Sequence, residues 1–287
     1  MSPNLRGSLY MAAAMAAFSV EDSFFKHATQ SIPTSQALMM FGGLGLAVFA
    51  LLSRRRSEPV WHPQLLSTAL ILRSICELCG RLFFALALAL TPLTSASAIL
   101  QAAPLVVVVG AVVFFGERVG WRRWLAIAMG FAGVLLIIRP TPALFDPTSV
   151  FAVLATLGFA GRDLATRASP ATMSTEQLGS LGFAILTLAG VILSLVMGEQ
   201  PVMPPLPTVA AIMAATSAGV LAYSALTKAM RTGDISAVTP FRYTRQLFAL
   251  ILGFAIFGEW PDLLTWVGIG VIILSGVYTA RAGRQDR

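Results

Sequence analysis

The sequence contains few charged residues. Asp, Glu, Lys and Arg make up 11% of the 287 residues, whereas 56% are hydrophobic, and the mean hydropathy is +0.79. A soluble globular domain carries about 25% charged residues. The shortage of charge therefore excludes a soluble single-core protein and indicates an integral membrane protein.

Histidine and cysteine are also scarce, with two of each. A structural zinc site needs four ligands, and neither His27 nor His62 lies close in sequence to Cys76 and Cys79. We interpret the cysteines as packing residues and expect no metal and no cofactor. The sequence also lacks a GxSxG elbow, an HExxH motif and an ATP-binding loop, which argues against an enzyme and against an ATP-driven pump.

Long apolar stretches follow one another with only short connections between them. In hydrocarbon every backbone amide must be paired, which a helix achieves within its own segment. The stretches are too long and too continuous for a β-barrel, whose strands alternate over about 10 residues. The predicted fold is all-α, with ten transmembrane helices at residues 8–28, 34–53, 65–90, 93–115, 121–139, 148–168, 175–197, 207–230, 235–257 and 262–281.

The positive charges are distributed unevenly between the two ends of these helices. Most of the 20 Lys and Arg residues fall at the ends and loops of one side, and only Lys26 and Arg139 fall at the other. The positive-inside rule then predicts a bacterial-type inner-membrane protein with both termini in the cytoplasm. Because the basic charge is a topology signal, we expect the lipid bilayer as a partner and no nucleic acid.

Two motifs recur about half a chain length apart. The sequence FGE at 115–117 returns at 257–259, and FSVEDSFFK at 18–26 aligns with FAGRDLATR at 159–167. Glycine permits a tight turn, so we interpret each FGE as a turn after a span rather than as a substrate contact. The second alignment gives the first apolar stretch a counterpart, which favours a true span over a cleaved secretory signal.

This repetition divides the chain into two five-helix halves, residues 1–140 and 141–287. An odd number of spans makes the second half enter the membrane from the opposite side. Inverted repeats are typical of secondary transporters, whose substrate site lies near the midplane where the halves meet. The sequence therefore predicts alternating access around a central cavity.

The stretches around the FGE motifs also resemble a known family. APLVVVVGAVVFFGERVGW (103–121) and FALILGFAIFGEWPDLLTW (248–266) lie within longer segments, 87–140 and 240–281, that are similar to the EamA-type half of the drug/metabolite transporter superfamily. The resemblance implies a ten-helix fold of two inverted five-helix repeats. It also implies transport of small organic solutes such as amino acids, vitamins or nucleosides.

Ionisable residues fall inside the predicted spans. A charge at the centre of a membrane helix costs about 2.5–3.5 kcal/mol on insertion scales. These side chains must therefore pair, reach water or line a wet cavity. They are Glu21, Asp22, Arg73, Glu77, Arg81, Arg162, Asp163, Arg242 and Arg245.

Arg73, Glu77 and Arg81 follow one another at helical spacing, so they share one face. In one interpretation this face lines the cavity, and an arginine binds a substrate carboxylate through its planar fork. In the other, Glu77 neutralises the two arginines in a structural ladder between helices.

Two further pairs have i, i+4 spacing. Asp22 and Lys26 lie toward the outer face, and Asp163 and Arg167 toward the inner face, which suggests an outer and an inner gate. In the alternative interpretation the basic residues extend to the membrane surface and satisfy helix C-termini. Asp22 or Asp163 could also carry a coupling proton.

Gln101 in the fourth span and Arg242 and Tyr243 in the ninth are predicted to line the cavity. Pro240 removes a backbone donor and is expected to kink the ninth span there. Arg245 is expected instead to pair with an acid on a neighbouring helix.

The predicted function is secondary transport of a small polar or zwitterionic metabolite, coupled to a proton or to solute exchange. Charges of both signs suit an amino acid, and export is the first interpretation. Uptake of a vitamin or nucleotide-like metabolite, such as riboflavin or S-adenosylmethionine, is the alternative. A passive channel is a third class, and counterflow distinguishes it from a carrier.

Overall fold

The computed structural model describes residues 1–90, 93–139, 147–257 and 262–285. Within these ranges the chain folds into α-helices joined by short loops and 3-10 turns, with no β-strand, which confirms the all-α prediction. The helices are α1 (Pro3–Ala28), α2 (Thr34–Arg55), α3 (Thr68–Leu90), α4 (Leu93–Leu100), α5 (Ala103–Phe115), α6 (Trp121–Ile138), α7 (Val150–Arg167), α8 (Thr175–Met197), α9 (Leu206–Met230), α10 (Ile235–Val238), α11 (Thr244–Phe257) and α12 (Leu263–Gln285).

Two of the ten predicted spans are broken. The stretch predicted at 93–115 consists of α4 and α5, and Pro104 lies in the first turn of α5, where its missing amide hydrogen costs nothing. The stretch predicted at 235–257 consists of α10, a 3-10 turn at Thr239–Tyr243 that contains Pro240, and α11. The irregularity expected at Pro240 is therefore confirmed.

Several of these elements are long and apolar enough to cross a membrane. By length and composition there are six such segments in the described ranges: α2, Ala96–Phe115, α6, Pro147–Arg167, α8 and α9. The helices α1 and α3 are equally long but carry charged side chains. Large apolar side chains such as Leu195, Leu206 and Leu221 are exposed, as expected for surfaces that face lipid. The chain is a multi-pass membrane protein.

The helices pack in long pairs, and small residues lie where the two helices of a pair touch. Helix α1 lies along α9, α3 along α7, α2 against α8, and α6 against α12. At the contact of α3 with α7, a Cβ on Gly158 would lie 2.7 Å from the Cα atom of Gly80. Small residues allow this close approach of backbones, which holds the site-bearing helix α7 in place.

The first FGE motif is a turn, as predicted. Gly116 follows α5 with the left-handed dihedral angles φ 64° and ψ 24°, which a glycine adopts without strain. The carboxylate of Glu117 accepts hydrogen bonds from the backbone amides of Ile235 (3.1 Å) and Ser236 (3.0 Å). Glu117 therefore also anchors the start of α10. The second FGE, at 257–259, lies mostly outside the described residues.

At the opposite end of the molecule, a polar contact joins α6 to the start of α12. The Arg139 guanidinium donates to the Asp262 carboxylate, and Thr265 donates its backbone amide to the same group at 3.0 Å. These hydrogen bonds, from Arg139 first, hold the pKa of Asp262 well below its usual range.

Candidate substrate cavity

A cavity of about 390 Å³ lies at the centre of the bundle, between α1, α3, α4, α5, α7 and the α10–α11 segment. This volume is at the lower end of the range for small-molecule sites, about 300–1,000 Å³. Its wall combines charged, aromatic and amide side chains. They are Glu21, Asp22, Arg81, Arg162, Arg242 and Arg245, with Phe18, Phe84, Phe159, Gln101 and Gln246.

Both helix breaks lie at this cavity. Gln101 occupies the interruption between α4 and α5, and Arg242 occupies the 3-10 turn between α10 and α11. Backbone that departs from an α-helix at membrane depth is tolerated where it lines a cavity or is buried in protein. Gln101 and Arg242 thus line the cavity, as the sequence predicted, and so does Arg81, for which the sequence left two interpretations open.

Asp163 holds two arginines of the cavity wall. Its carboxylate pairs with Arg162 at 2.8 Å and, through the other oxygen, with Arg242. Asp163 is itself almost completely buried and does not line the cavity. Arg167 does not pair with Asp163. It donates to the backbone carbonyl of Met230, the last residue of α9, at 3.3 Å, which confirms the alternative interpretation that it satisfies a helix C-terminus.

Glu77 is a second buried carboxylate behind the wall. It pairs with Arg162 at 3.3 Å and with Arg81 at 3.4 Å, and the Tyr223 hydroxyl donates to it at 3.4 Å. The helix face that carries Glu77 therefore points toward α7 and α9. Only Arg81 of the predicted triplet lines the cavity.

Arg73 departs furthest from its predicted environment. Its guanidinium donates to the Thr166 hydroxyl at 3.1 Å and to the Tyr223 hydroxyl, and among the described residues no ion pair joins it to Glu77. Arg73 is 1% exposed. The predicted ladder from Arg73 through Glu77 to Arg81 is therefore wrong at its first step, and Arg73 cannot contact a solute in this conformation.

Asp22 pairs with Arg245, at 3.1 Å from Nε and 2.5 Å from Nη2. This confirms that Arg245 pairs with an acid on a neighbouring helix, and it still lines the cavity. The predicted Asp22–Lys26 pair is wrong in this structure, because Asp22 is engaged by Arg245. The Lys26 side chain is exposed near the end of α1.

Tyr243 was predicted to line the cavity, and this is wrong. It is 1% exposed and packs in an apolar cluster with Val108, Ile127 and Ile272. The 3-10 turn explains the difference, because it directs Arg242 to the cavity and its neighbour Tyr243 toward α6 and α12.

Three charged cavity residues were not among the predicted site residues. Glu21, Arg162 and Arg245 all line the wall. The sequence feature that could have identified them is their position, since each is an ionisable residue within an apolar span. Spacing alone directed attention to the i, i+4 pairs instead. No group of three or more His, Cys, Asp or Glu residues able to hold a metal occurs in the part of the chain that the structure describes.

An all-helical membrane protein with a polar cavity at broken helices has the organisation of a small-solute transporter. The chain belongs to the EamA-like transporter family, whose sequence profile matches residues 5–139 and 147–280. It is therefore a membrane transporter of this family, which is part of the drug/metabolite transporter superfamily.

Its relatives carry different solutes. The chain is 27% identical to the S-adenosylmethionine uptake transporter of Rickettsia bellii, over 93% of this chain and 84% of the relative. It is 27% identical to the riboflavin transporter of Vibrio cholerae, over 94% and 91%. It is 24% identical to the pseudopaline exporter CntI of Pseudomonas aeruginosa, over 96% of each.

The same architecture occurs in a solved crystal structure. That chain superposes on this one with a TM-score of 0.84, over 97% of this chain and 98% of its own length. The sequence identity is 19%, so the similarity shows the fold alone.

Proposed function

We propose that the protein is a secondary transporter that moves a zwitterionic metabolite through the central cavity by alternating access. The observation that carries the proposal is the composition of the cavity wall, where negatively charged carboxylates and positively charged arginines lie beside phenylalanine rings. A charged group buried in a membrane helix is costly unless it is paired or functional. Transport is driven by a proton gradient or by exchange of solutes.

The architecture in this proposal is ten spans in two inverted five-helix halves, residues 1–140 and 141–287. Helix contacts support it. The proposed symmetry makes α7 the counterpart of α1, and α9 the counterpart of α3. It therefore relates the contact of α1 with α9 to the contact of α7 with α3, and both contacts are present. The contact of α11 with α1 likewise becomes that of α5 with α7. Such an exchange is expected of halves related by a pseudo-two-fold axis, with the substrate site between them.

The proposed orientation has both termini in the cytoplasm of a bacterial cell. Polar contacts near the N-terminus support it, because they join loops that are rich in basic residues. The Asn4 amide and the Arg123 guanidinium both donate to Asp234 at 3.1 Å. Arg231 donates to the backbone carbonyl of Met173 at 2.6 Å.

The same contacts define how the carrier would alternate. They close the basic end, while Phe18, Asp22 and Phe84 carry the cavity wall toward the C-terminal parts of α1 and α3. In the proposed orientation the cavity therefore lies nearer the outer side. Opening to the cytoplasm requires the contacts of Asn4, Arg123 and Asp234 to separate. This network replaces the Asp163–Arg167 pair as the proposed inner gate.

A topology experiment tests the inverted arrangement. Reporter tags inserted after Glu117 and after Glu259 in separate variants are expected on opposite sides of the membrane, the first in the cytoplasm. Protease protection in right-side-out vesicles measures this, and a tag at the N-terminus is the control. Two tags on the same side would refute two inverted five-helix halves.

We propose S-adenosylmethionine and related amino-acid metabolites as the first substrates to test. S-adenosylmethionine joins an amino-acid group to an aromatic base, which suits a wall of both charges and aromatic rings. Free amino acids share only the charged amino-acid group with S-adenosylmethionine. Their export was the first expectation from the sequence. Riboflavin is the second candidate, supported by the aromatic rings and by the relative from Vibrio cholerae.

Uptake and counterflow in proteoliposomes, with labelled S-adenosylmethionine, amino acids and riboflavin, test this proposal. A carrier exchanges labelled for unlabelled solute, whereas a channel does not. Because the vesicles can be loaded on either side, the same assay gives the direction. Failure to move any of the three classes would refute the proposed substrates.

Arg81 provides a mutational test of the cavity. We expect Arg81→Ala to raise KM about tenfold or more, because a hydrogen bond to a charged group is worth about 1.5–3 kcal/mol. Folding should survive, since Glu77 keeps its pair with Arg162. Lys26→Ala, which removes one exposed positive charge outside the cavity, is the matched control. Equal KM values for the two variants would exclude Arg81 from binding and leave it a structural role.

A further inference from the structure

Glu21 differs from the other acidic residues around the cavity. It lines the wall and is 8% exposed, and its Oε2 atom has no hydrogen-bond partner. Within the described part of the chain, no basic group lies within ion-pair distance of it. Oε2 faces Gly219 of α9, where an added Cβ would be 3.2 Å away. Position 219 of α9 therefore places no side chain next to this buried oxygen.

The arginines near Glu21 are already paired with other carboxylates. Arg245 pairs with Asp22, and Arg81 pairs with Glu77. The remaining cavity arginines, Arg162 and Arg242, share Asp163. Glu21 thus remains the cavity carboxylate without a guanidinium partner, at a depth where an unpaired charge is unfavourable.

We propose that Glu21 binds the positively charged group of the transported solute. The inference rests on the proposed function and narrows its substrate class to solutes with an ammonium or sulfonium group. When the solute enters, its cation completes the ion pair that the protein leaves open. The solute's carboxylate then lies toward Arg81 and Arg242, on the facing helices of the same cavity.

The charged groups that face Glu21 come from three helices. Asp22 follows it on α1, Arg81 and Glu77 lie on α3, and Arg245 lies on α11. A carboxylate surrounded in this way can also bind a proton instead of a solute cation. Binding and pH-driven transport must therefore be measured separately.

The test compares solutes that differ in charge, using the full-length protein in lipid nanodiscs. The probes are S-adenosylmethionine, its neutral thioether analogue S-adenosylhomocysteine, lysine and riboflavin. We expect Glu21→Gln to weaken binding of S-adenosylmethionine and lysine about tenfold or more. S-adenosylhomocysteine keeps the ammonium group but not the charged sulfur, so any weakening of its binding reports on the ammonium group alone. Riboflavin, which has no ammonium or sulfonium group, should bind the variant and the wild type equally well.

Glu58→Gln is the matched control. Glu58 also has an Oε2 atom without a hydrogen-bond partner, but it lies in the loop between α2 and α3, outside the cavity. Its substitution should leave every affinity unchanged. Thermal unfolding of both variants in the absence of solute checks that they fold.

The possible results separate this inference from the proposed function. Unchanged affinity of Glu21→Gln for the cationic solutes overturns the inference. If its transport also becomes insensitive to a pH gradient, Glu21 carries a proton instead. A wild type that binds and transports riboflavin but no cationic probe overturns the inference and leaves the carrier function standing. A wild type that neither binds nor transports any probe overturns both.

Discussion

Asp163→Ala is expected to abolish transport and to destabilise the protein by about 3–5 kcal/mol, the usual effect of removing one partner from a buried ion pair. Asp163 is 1% exposed and pairs with Arg162 and Arg242. Arg162 would retain Glu77, but Arg242 would lose the carboxylate that holds the 3-10 turn against α7. The substitution therefore removes both ion pairs of Asp163 and, with them, the contact between the 3-10 turn and α7.

Thermal unfolding in nanodiscs and uptake in proteoliposomes measure the two effects. Asp22→Ala is the control for stability, because it also breaks an Asp–Arg pair, but one whose side chains are 53% and 39% exposed. Exposed pairs contribute about 0–1 kcal/mol, so this control should unfold near the wild-type temperature. If the two variants have the same stability, burial does not strengthen the Asp163 pairs.

Gly158→Leu is expected to destabilise the protein by about 3 kcal/mol or more, at the upper end of the cost of overpacking. A Cβ at this position would lie 2.7 Å from the backbone nitrogen of Gly80 and 2.9 Å from the carbonyl oxygen of Cys76. Both neighbours are backbone atoms of α3, which cannot turn aside as a flexible side chain can. Helices α3 and α7 would separate, and Glu77 would lose its contact with Arg162.

Gly43→Leu is the matched control for this substitution. Gly43 also lies within a long helix, α2, but an added Cβ there meets nothing within 4 Å. Leucine is a better helix former than glycine, so the control should retain or gain stability. Thermal unfolding and monodispersity in detergent compare the pair. Equal stability of the two variants would contradict the close contact of α3 with α7.

Local properties of the chain were readable from its sequence. Apolar length and the need to pair every backbone amide predicted an all-α membrane protein. Gly116 marked a turn because only glycine adopts positive φ without strain. Pro240 marked the irregular turn near the cavity because it removes a backbone donor. Each of these inferences depends on a residue and its immediate neighbours, so no tertiary contact was needed.

The partners of the buried charges could not be read in this way. Helical spacing placed Arg73, Glu77 and Arg81 on one face, but it could not tell that this face meets α7 and α9. The i, i+4 spacing also suggested Asp163 with Arg167, whereas Asp163 binds Arg242, which lies 79 residues further along the chain. Within a low-dielectric interior the strongest available pair forms, and its members need not be close in sequence.

The sequence by itself thus determined that this protein lies in a membrane, that it is helical and that its ninth span is irregular at Pro240, because hydropathy and backbone chemistry act locally. The break between α4 and α5 was not predicted. Tertiary structure alone decided which charges face the cavity and which neutralise one another. That choice depends on helix packing, which brought Tyr223 to Arg73 and Asp163 to Arg242 and left Glu21 without a partner.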